Sequence, residues 1–140
     1  MFNKLLVPID LTEKHQAVVK TAAELALQNG GTVTLLHVIE AITGLSQEEE
    51  KRFYHQLQQA AEKHLQKYAE RLAEHKVSCQ QRVLIGNRVR EMVAFAGEMN
   101  ADLILLTAPR FDPAKPMSGW GSMSYRVSVL AECPVLLVKN

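Results

Sequence analysis

A chain of 140 residues has the size of one compact domain, and 47% hydrophobic with 22% charged residues is the balance of a folded globular protein, not of a disordered one. Sixteen Lys and Arg against fifteen Asp and Glu leave a net charge of +1, so there is no basic field to recruit nucleic acid or an acidic membrane surface. No apolar run reaches the length of a membrane span.

Leu5 to Ile9 is a continuous apolar run bounded by Lys4 and Asp10, which predicts a strand covered on both faces. Glu13 to Gln28 carries Ala17, Val18, Thr21, Ala22, Leu25 and Ala26 at spacings of three and four, a helix stopped by Gly30 and Gly31. Thr32 to Ile39 is β-branched and mostly apolar, a second strand ending near Val38. Ser46 and Glu49 form a capping-box pair that opens a long helix to about His75, with Phe53, Leu57, Ala61, Leu65, Tyr68 and Leu72 on one face.

Val77 to Ile85 has a polar centre and predicts a third strand at an edge of the sheet. Asn87 caps a third helix running through about Met99, with Val89, Met92, Val93 and Ala96 inward, and Leu103 to Leu106 is a fourth strand. Thr107 to Trp120 holds three prolines and a glycine and predicts a long loop. Gly121 to Glu132 is helical in pattern, with Met123, Val127 and Leu130 on one side, before Cys133-Pro134 and a last strand from Val135 to Lys139.

This alternation predicts one α/β domain over residues 1–140, with a parallel sheet and helices on both faces. In such a fold ligands bind at the carboxyl ends of the strands beside the switch point, which singles out the segment after the first strand and the one after the fourth. Asp10 either caps the first helix or projects into a pocket. At Gly121 to Ser124, where loop becomes helix, unpaired N–H groups and the helix dipole favour an anion, unless Ser122 simply caps the helix.

Cys79 and Cys133 are too few for a disulfide framework and stand beside no metal ligand, and His15, His37, His55, His64 and His75 include no i, i+4 pair. Reduced thiols and no bound metal are expected. Met1 to Asp10 lacks the features of a signal peptide, so a cytoplasmic location is expected. No nucleophile elbow, Walker lysine motif or GxGxxG is present, and no catalytic residue is assigned; at most a weak ATPase is expected.

Four segments resemble the universal stress protein family along the whole chain: LLVPIDLTEKHQAVVKTAAELA, LLHVIE, IGNRVREMVAFAGEMNADLILL and, most specific, GSMSYRVSVLAECPVLLVK. The resemblance implies a doubly wound five-stranded sheet of order 3-2-1-4-5 with the switch point between the first and fourth strands. It implies an adenine nucleotide, ATP or another, with Mg²⁺, as possible cofactor. Asp10 would meet the adenine or ribose edge, Val38 would offer backbone groups to the base, Ser122, Met123 and Ser124 would sit at the phosphates, and Pro8 is a further candidate for nucleotide binding.

ATP-binding members follow the fourth strand with a glycine, two residues, a second glycine, nine residues, then glycine and Ser or Thr. Here Thr107 and Arg110 replace the first two glycines, the segment before Gly121-Ser122 is one residue longer, and only that last pair is kept. Two readings stay open: a cradle degenerated by its new Cβ atoms, or one in which Arg110 donates directly to phosphate. The resemblance also implies a homodimer through the last strand, Val135, Leu136, Leu137 and Val138, whose apolar edge nothing afterwards covers. The function implied is that of a dimeric stress-response regulator or binding module; an ATP switch and a regulatory subunit of a transporter or another enzyme are the alternatives, with the protein partner unnamed.

Overall fold

The computed structural model describes residues 1–108, 113, 114 and 120–140, and the side chains of 120–122 are outside that description. Nine elements follow in order: β1 (Lys4–Pro8), α1 (Gln16–Asn29), β2 (Thr32–Glu40), α2 (Gln47–Glu74), β3 (Ser78–Gly86), α3 (Arg88–Glu98), β4 (Leu103–Ala108), α4 (Trp120–Leu130) and β5 (Val135–Lys139). The five strands form one sheet of order β3-β2-β1-β4-β5, with every neighbouring pair parallel. Crossover helices are required by parallel pairing, and here they cover both faces.

Alternation along β1 sorts its side chains between two cores. Leu5 and Val7 pack with Val18, Ala22, Leu65 and Leu72 of α1 and α2. Leu6 packs on the opposite face with Met92 and Ala96 of α3 and Val127 of α4. Because both faces are covered, β1 and β4 read as unbroken apolar runs, as the sequence suggested. β3 and β5 are the two edges.

Several boundaries differ from the sequence reading, each for a local reason. The first helix begins at Gln16, not Glu13, and His15 is its N-cap residue. Asp10 therefore does not cap it; its carboxylate instead accepts from the Thr12 N–H at 2.9 Å, a tight turn that keeps the chain out of helix. The buried face of α1 also takes in Val19 and Ala23, because the helix meets β1, β4, β5 and α2.

β4 continues through Thr107 and Ala108, which pair with Val138 and Lys139 of β5. The remainder of the expected loop, apart from residues 113 and 114, lies outside the described residues up to α4. α4 ends at Leu130, which is 56% exposed and not part of the core. The helix lies over β4 and β5 at the sheet's rim, where no described element packs outside it.

α2 is 28 residues long, roughly 42 Å at the usual helical rise, but its buried positions are confined to Ala61–Leu72. Phe53 and Leu57, expected in the core, are only half-buried. The first half of the helix projects past what the nine-residue strand β2 can cover. Ser46 and Glu49 form the expected capping box at its start.

Candidate functional site

β1 and β4 lie side by side, yet the chain leaves β1 towards α1 on one face and leaves β4 towards α4 on the other. The divergence opens a crevice at their carboxyl ends. A cleft of about 440 Å³ lies on the β2 side of this point, between the ends of β1 and β2, with Asp10, Thr12, His37, Val38, Ile42 and Arg88 among its lining residues and no described residue of β4. That volume is within the range of small-molecule sites.

Asp10 follows β1 directly and is held by three donors on one oxygen. Its Oδ1 accepts from the Thr12 N–H at 2.9 Å, from the Thr12 hydroxyl at 2.5 Å and from His15 Nε2 at 2.7 Å. Burial alone pushes the carboxyl up, but the bonds from His15 and Thr12 outweigh it and hold Asp10 far below the usual carboxylate range. Asp10 is an anion at any physiological pH.

His15 is 1% exposed and spans the switch point, its Nδ1 lying 2.8 Å from Thr107 Oγ1 at the end of β4. The turn carrying Asp10 is also pinned from α2, where His64 Nε2 donates to the Thr12 carbonyl at 3.0 Å. His64 is itself set edge-on against Tyr68, with centroids 5.3 Å apart.

The second wall comes from β2. His37 Nδ1 donates to the Ile9 carbonyl at 2.8 Å, which leaves Nε2 as the acceptor of a neutral ring. Burial depresses the His37 pKa, the Ile9 bond opposes this, and the charge of Arg88 depresses it further. Beyond Val38, Arg88 of α3 stands 3.8 Å from Glu40, and the Tyr54 hydroxyl receives the Ile42 N–H at 2.7 Å, fastening the end of the wall to α2.

The residues singled out from the sequence divide into four groups. Asp10 and Val38 share the cleft, and Pro8 stands just below it in β1 opposite Leu36. Thr107 is buried and joined to Asp10 through His15. Met123 and Ser124 are buried in α4, Met123 among Leu106 and Val127, so these two side chains face the core and only the backbone of that turn remains for an anion. Arg110 and the side chain of Ser122 lie outside the described residues, and of Gly121 only its place in the first turn of α4 is described.

Sequence reasoning passed over His15, His37 and Arg88. A histidine inside an otherwise apolar strand, as in LLHVI, was the available signal for His37; nothing local marks His15, whose partner Thr107 is 92 residues away. Both cysteines are free thiols with their pKa raised by burial, Cys79 to about 11, which makes neither a nucleophile. Among the described residues no group of three or more His, Cys, Asp or Glu is placed to hold a metal ion, and no helix is long and apolar enough to cross a membrane.

Fold and cleft together define a doubly wound α/β protein with a cleft at the carboxyl ends of its first two strands. The universal stress protein family model matches residues 1–139, and the chain belongs to that family. Universal stress protein YxiE of Bacillus subtilis is 29% identical over 150 aligned positions, covering 99% of this chain and all of that protein. The structure of MJ0577 superimposes with a TM-score of 0.84 at 21% identity, covering 100% and 98% of the two chains. The universal stress protein of Archaeoglobus fulgidus in complex with dAMP gives a TM-score of 0.66 at 20% identity, covering 99% and 100%. Two more structures of the same fold, at TM-scores of 0.73 and 0.66, were solved with cAMP and, from Arabidopsis thaliana, with AMP.

Proposed function

We propose that this chain is a cytoplasmic regulatory module whose cleft at the ends of β1 and β2 binds the adenosine end of an adenine nucleotide, and that it acts as a homodimer in the response to stress. The observation that carries the reading is the cleft itself. An ionised carboxylate on a rigid turn and the end of β2 frame about 440 Å³ of partly apolar space, enough for a nucleoside. Complexes of related folds with dAMP, cAMP and AMP support the same ligand class.

A monophosphate suits the chain better than a triphosphate. Thr107 and Arg110 put Cβ atoms where the ATP-binding pattern has glycines, which obstructs close backbone approach to a phosphate chain. The N-terminal end of α4, which starts at Trp120, carries the positive end of a helix dipole, which favours one phosphate group. In this reading Mg²⁺ is dispensable.

The test is mass spectrometry of small molecules released from the purified protein, with calorimetric titration of AMP, cAMP and ATP, each with and without Mg²⁺. AMP or cAMP is expected to bind more tightly than ATP, and Asp10→Ala is expected to weaken binding by about tenfold or more, the usual result of losing a hydrogen bond to a charged group. No released nucleotide and no heat for any of the three at millimolar concentration would overturn the reading.

A further inference from the structure

His15 and Thr107 join Asp10 in a chain of polar groups, and the cleft reading gives neither His15 nor Thr107 a role. His15 is the N-cap residue of α1 but makes no capping bond through its side chain. Its ring is instead buried between the carboxyl ends of β1 and β4, 2.7 Å from Asp10 Oδ1 and 2.8 Å from Thr107 Oγ1. A buried imidazole costs stability unless both nitrogens are satisfied, and this pair of partners satisfies both.

The protonation pattern follows from the partners. Asp10 is ionised, so Nε2 carries a proton and donates to it; Nε2 cannot then accept from the Asp10 N–H, which stands farther off at 3.3 Å. Nδ1 of the neutral ring accepts from the Thr107 hydroxyl.

We infer that His15 and Thr107 are positioning residues that clamp Asp10: the Thr107 hydroxyl orients the imidazole, the imidazole with Thr12 saturates Oδ1, and Oδ2 is left to receive a hydroxyl or amino donor from the ligand. The inference rests on the reading of Asp10 as the ligand contact. Among the described residues no hydrogen bond reaches Asp10 Oδ2. Thr107 stands where the ATP-binding pattern has its first glycine, and the clamp gives that departure a function, since a glycine has no side chain to hold His15. The carboxylate at the end of β1 is thereby coupled to the end of β4, the two sides of the switch point.

The clamp makes a prediction opposite to that of a degenerate cradle. If Thr107 merely obstructs, Thr107→Gly restores nucleotide affinity; if it clamps, Thr107→Gly and Thr107→Val both weaken AMP binding by about tenfold, as expected for a lost oriented bond to a charged site, and Thr107→Ser rescues it. A calorimetric titration with AMP reads this, and tighter binding by Thr107→Gly overturns the clamp.

A second measurement needs no ligand. Long-range ¹H–¹⁵N spectra of the full chain at pH 8 should show His15 as the Nε2–H tautomer, with Thr107→Val, but not Thr107→Ser, moving both the His15 Nδ1 resonance and the Asp10 carboxyl ¹³C resonance. A wild-type Nδ1–H tautomer, or resonances indifferent to Thr107→Val, overturns the clamp even if AMP binds. The wild-type tautomer decides the matter should Thr107→Val fail to fold. Failure of wild type to bind AMP, with the spectra as expected, would instead remove the nucleotide reading and leave the clamp in place.

Discussion

At the scale of single residues, His37 gives the folded state a sensitivity to mild acid. Its ring is 7% exposed, and burial lowers its pKa, the Ile9 carbonyl opposing that and Arg88 reinforcing it, with smaller influences from Asp10 and His64. An unfolded histidine titrates at about 6.5, so below that pH the unfolded chain holds more protons than the native one. Stability is complete above about pH 6.5 and is lost as pH falls towards the depressed native value. Asp10 acts in a separate window: its native pKa is depressed, so its contribution is complete above about pH 4 and is lost only in stronger acid. Urea unfolding at pH 7.5 and 5.5 should show the loss in wild type, and His37→Gln should flatten it; an equal loss in both would assign the effect to other groups. Asp10 was legible in the sequence because it bounds the apolar run Leu5 to Ile9, and Val38 because it stands near the end of the next run, although β2 continues to Glu40. His15 was not, because its role depends on Thr107, brought beside it only by β1–β4 pairing.

At the scale of elements, the end of α1 and the start of β2 show two uses of glycine. Gly30 closes the helix at φ 65°, its N–H reaching the Ala26 carbonyl, and an added Cβ there would meet nothing within 4 Å. Gly31 has the opposite constraint: its Cβ would stand 2.6 Å from the Cα and carbonyl oxygen of Asn3, backbone that also accepts the Thr32 N–H at 2.9 Å. Gly31→Ala therefore forces β1 and β2 apart and should destabilise by about 1–3 kcal/mol, the range of overpacked positions. Gly30→Ala pays only for the left-handed backbone, about 1 kcal/mol. Denaturant midpoints of the two variants check the order; a neutral Gly31→Ala would contradict the close approach. The glycine pair was readable as a helix stop, but the contact with Asn3 was not, since it depends on the register of β1 against β2. The capping box of α2 was readable in full because both partners lie within one turn.

At the scale of the whole molecule, the outer edge of β5 is the surface to explain. Leu136 and Leu137 are 38% and 41% exposed, and on the adjoining helix Tyr125, Val129 and Leu130 are exposed as well. An apolar parallel edge with free backbone groups favours a second copy, in keeping with the proposed homodimer. Sedimentation at micromolar concentration is expected to give a dimer for wild type and a monomer of unchanged circular dichroism for Leu137→Lys. A monomeric wild type would refute the homodimer and leave the cleft reading untouched.

The sequence by itself determined the order of elements, the parallel sheet and the family, because apolar periodicity, helix caps and the quoted segments are local properties of the chain. It also placed Asp10 and Val38 at strand ends, where a crevice was to be expected. Only the tertiary structure decided what surrounds them. Alternation along β1 sends neighbouring side chains to different cores, the late onset of burial along α2 leaves Leu57 of its first half beside the cleft, and β1–β4 pairing joins His15 to Thr107 across 92 positions. Such contacts are set by strand order and register, to which no local pattern of residues is sensitive.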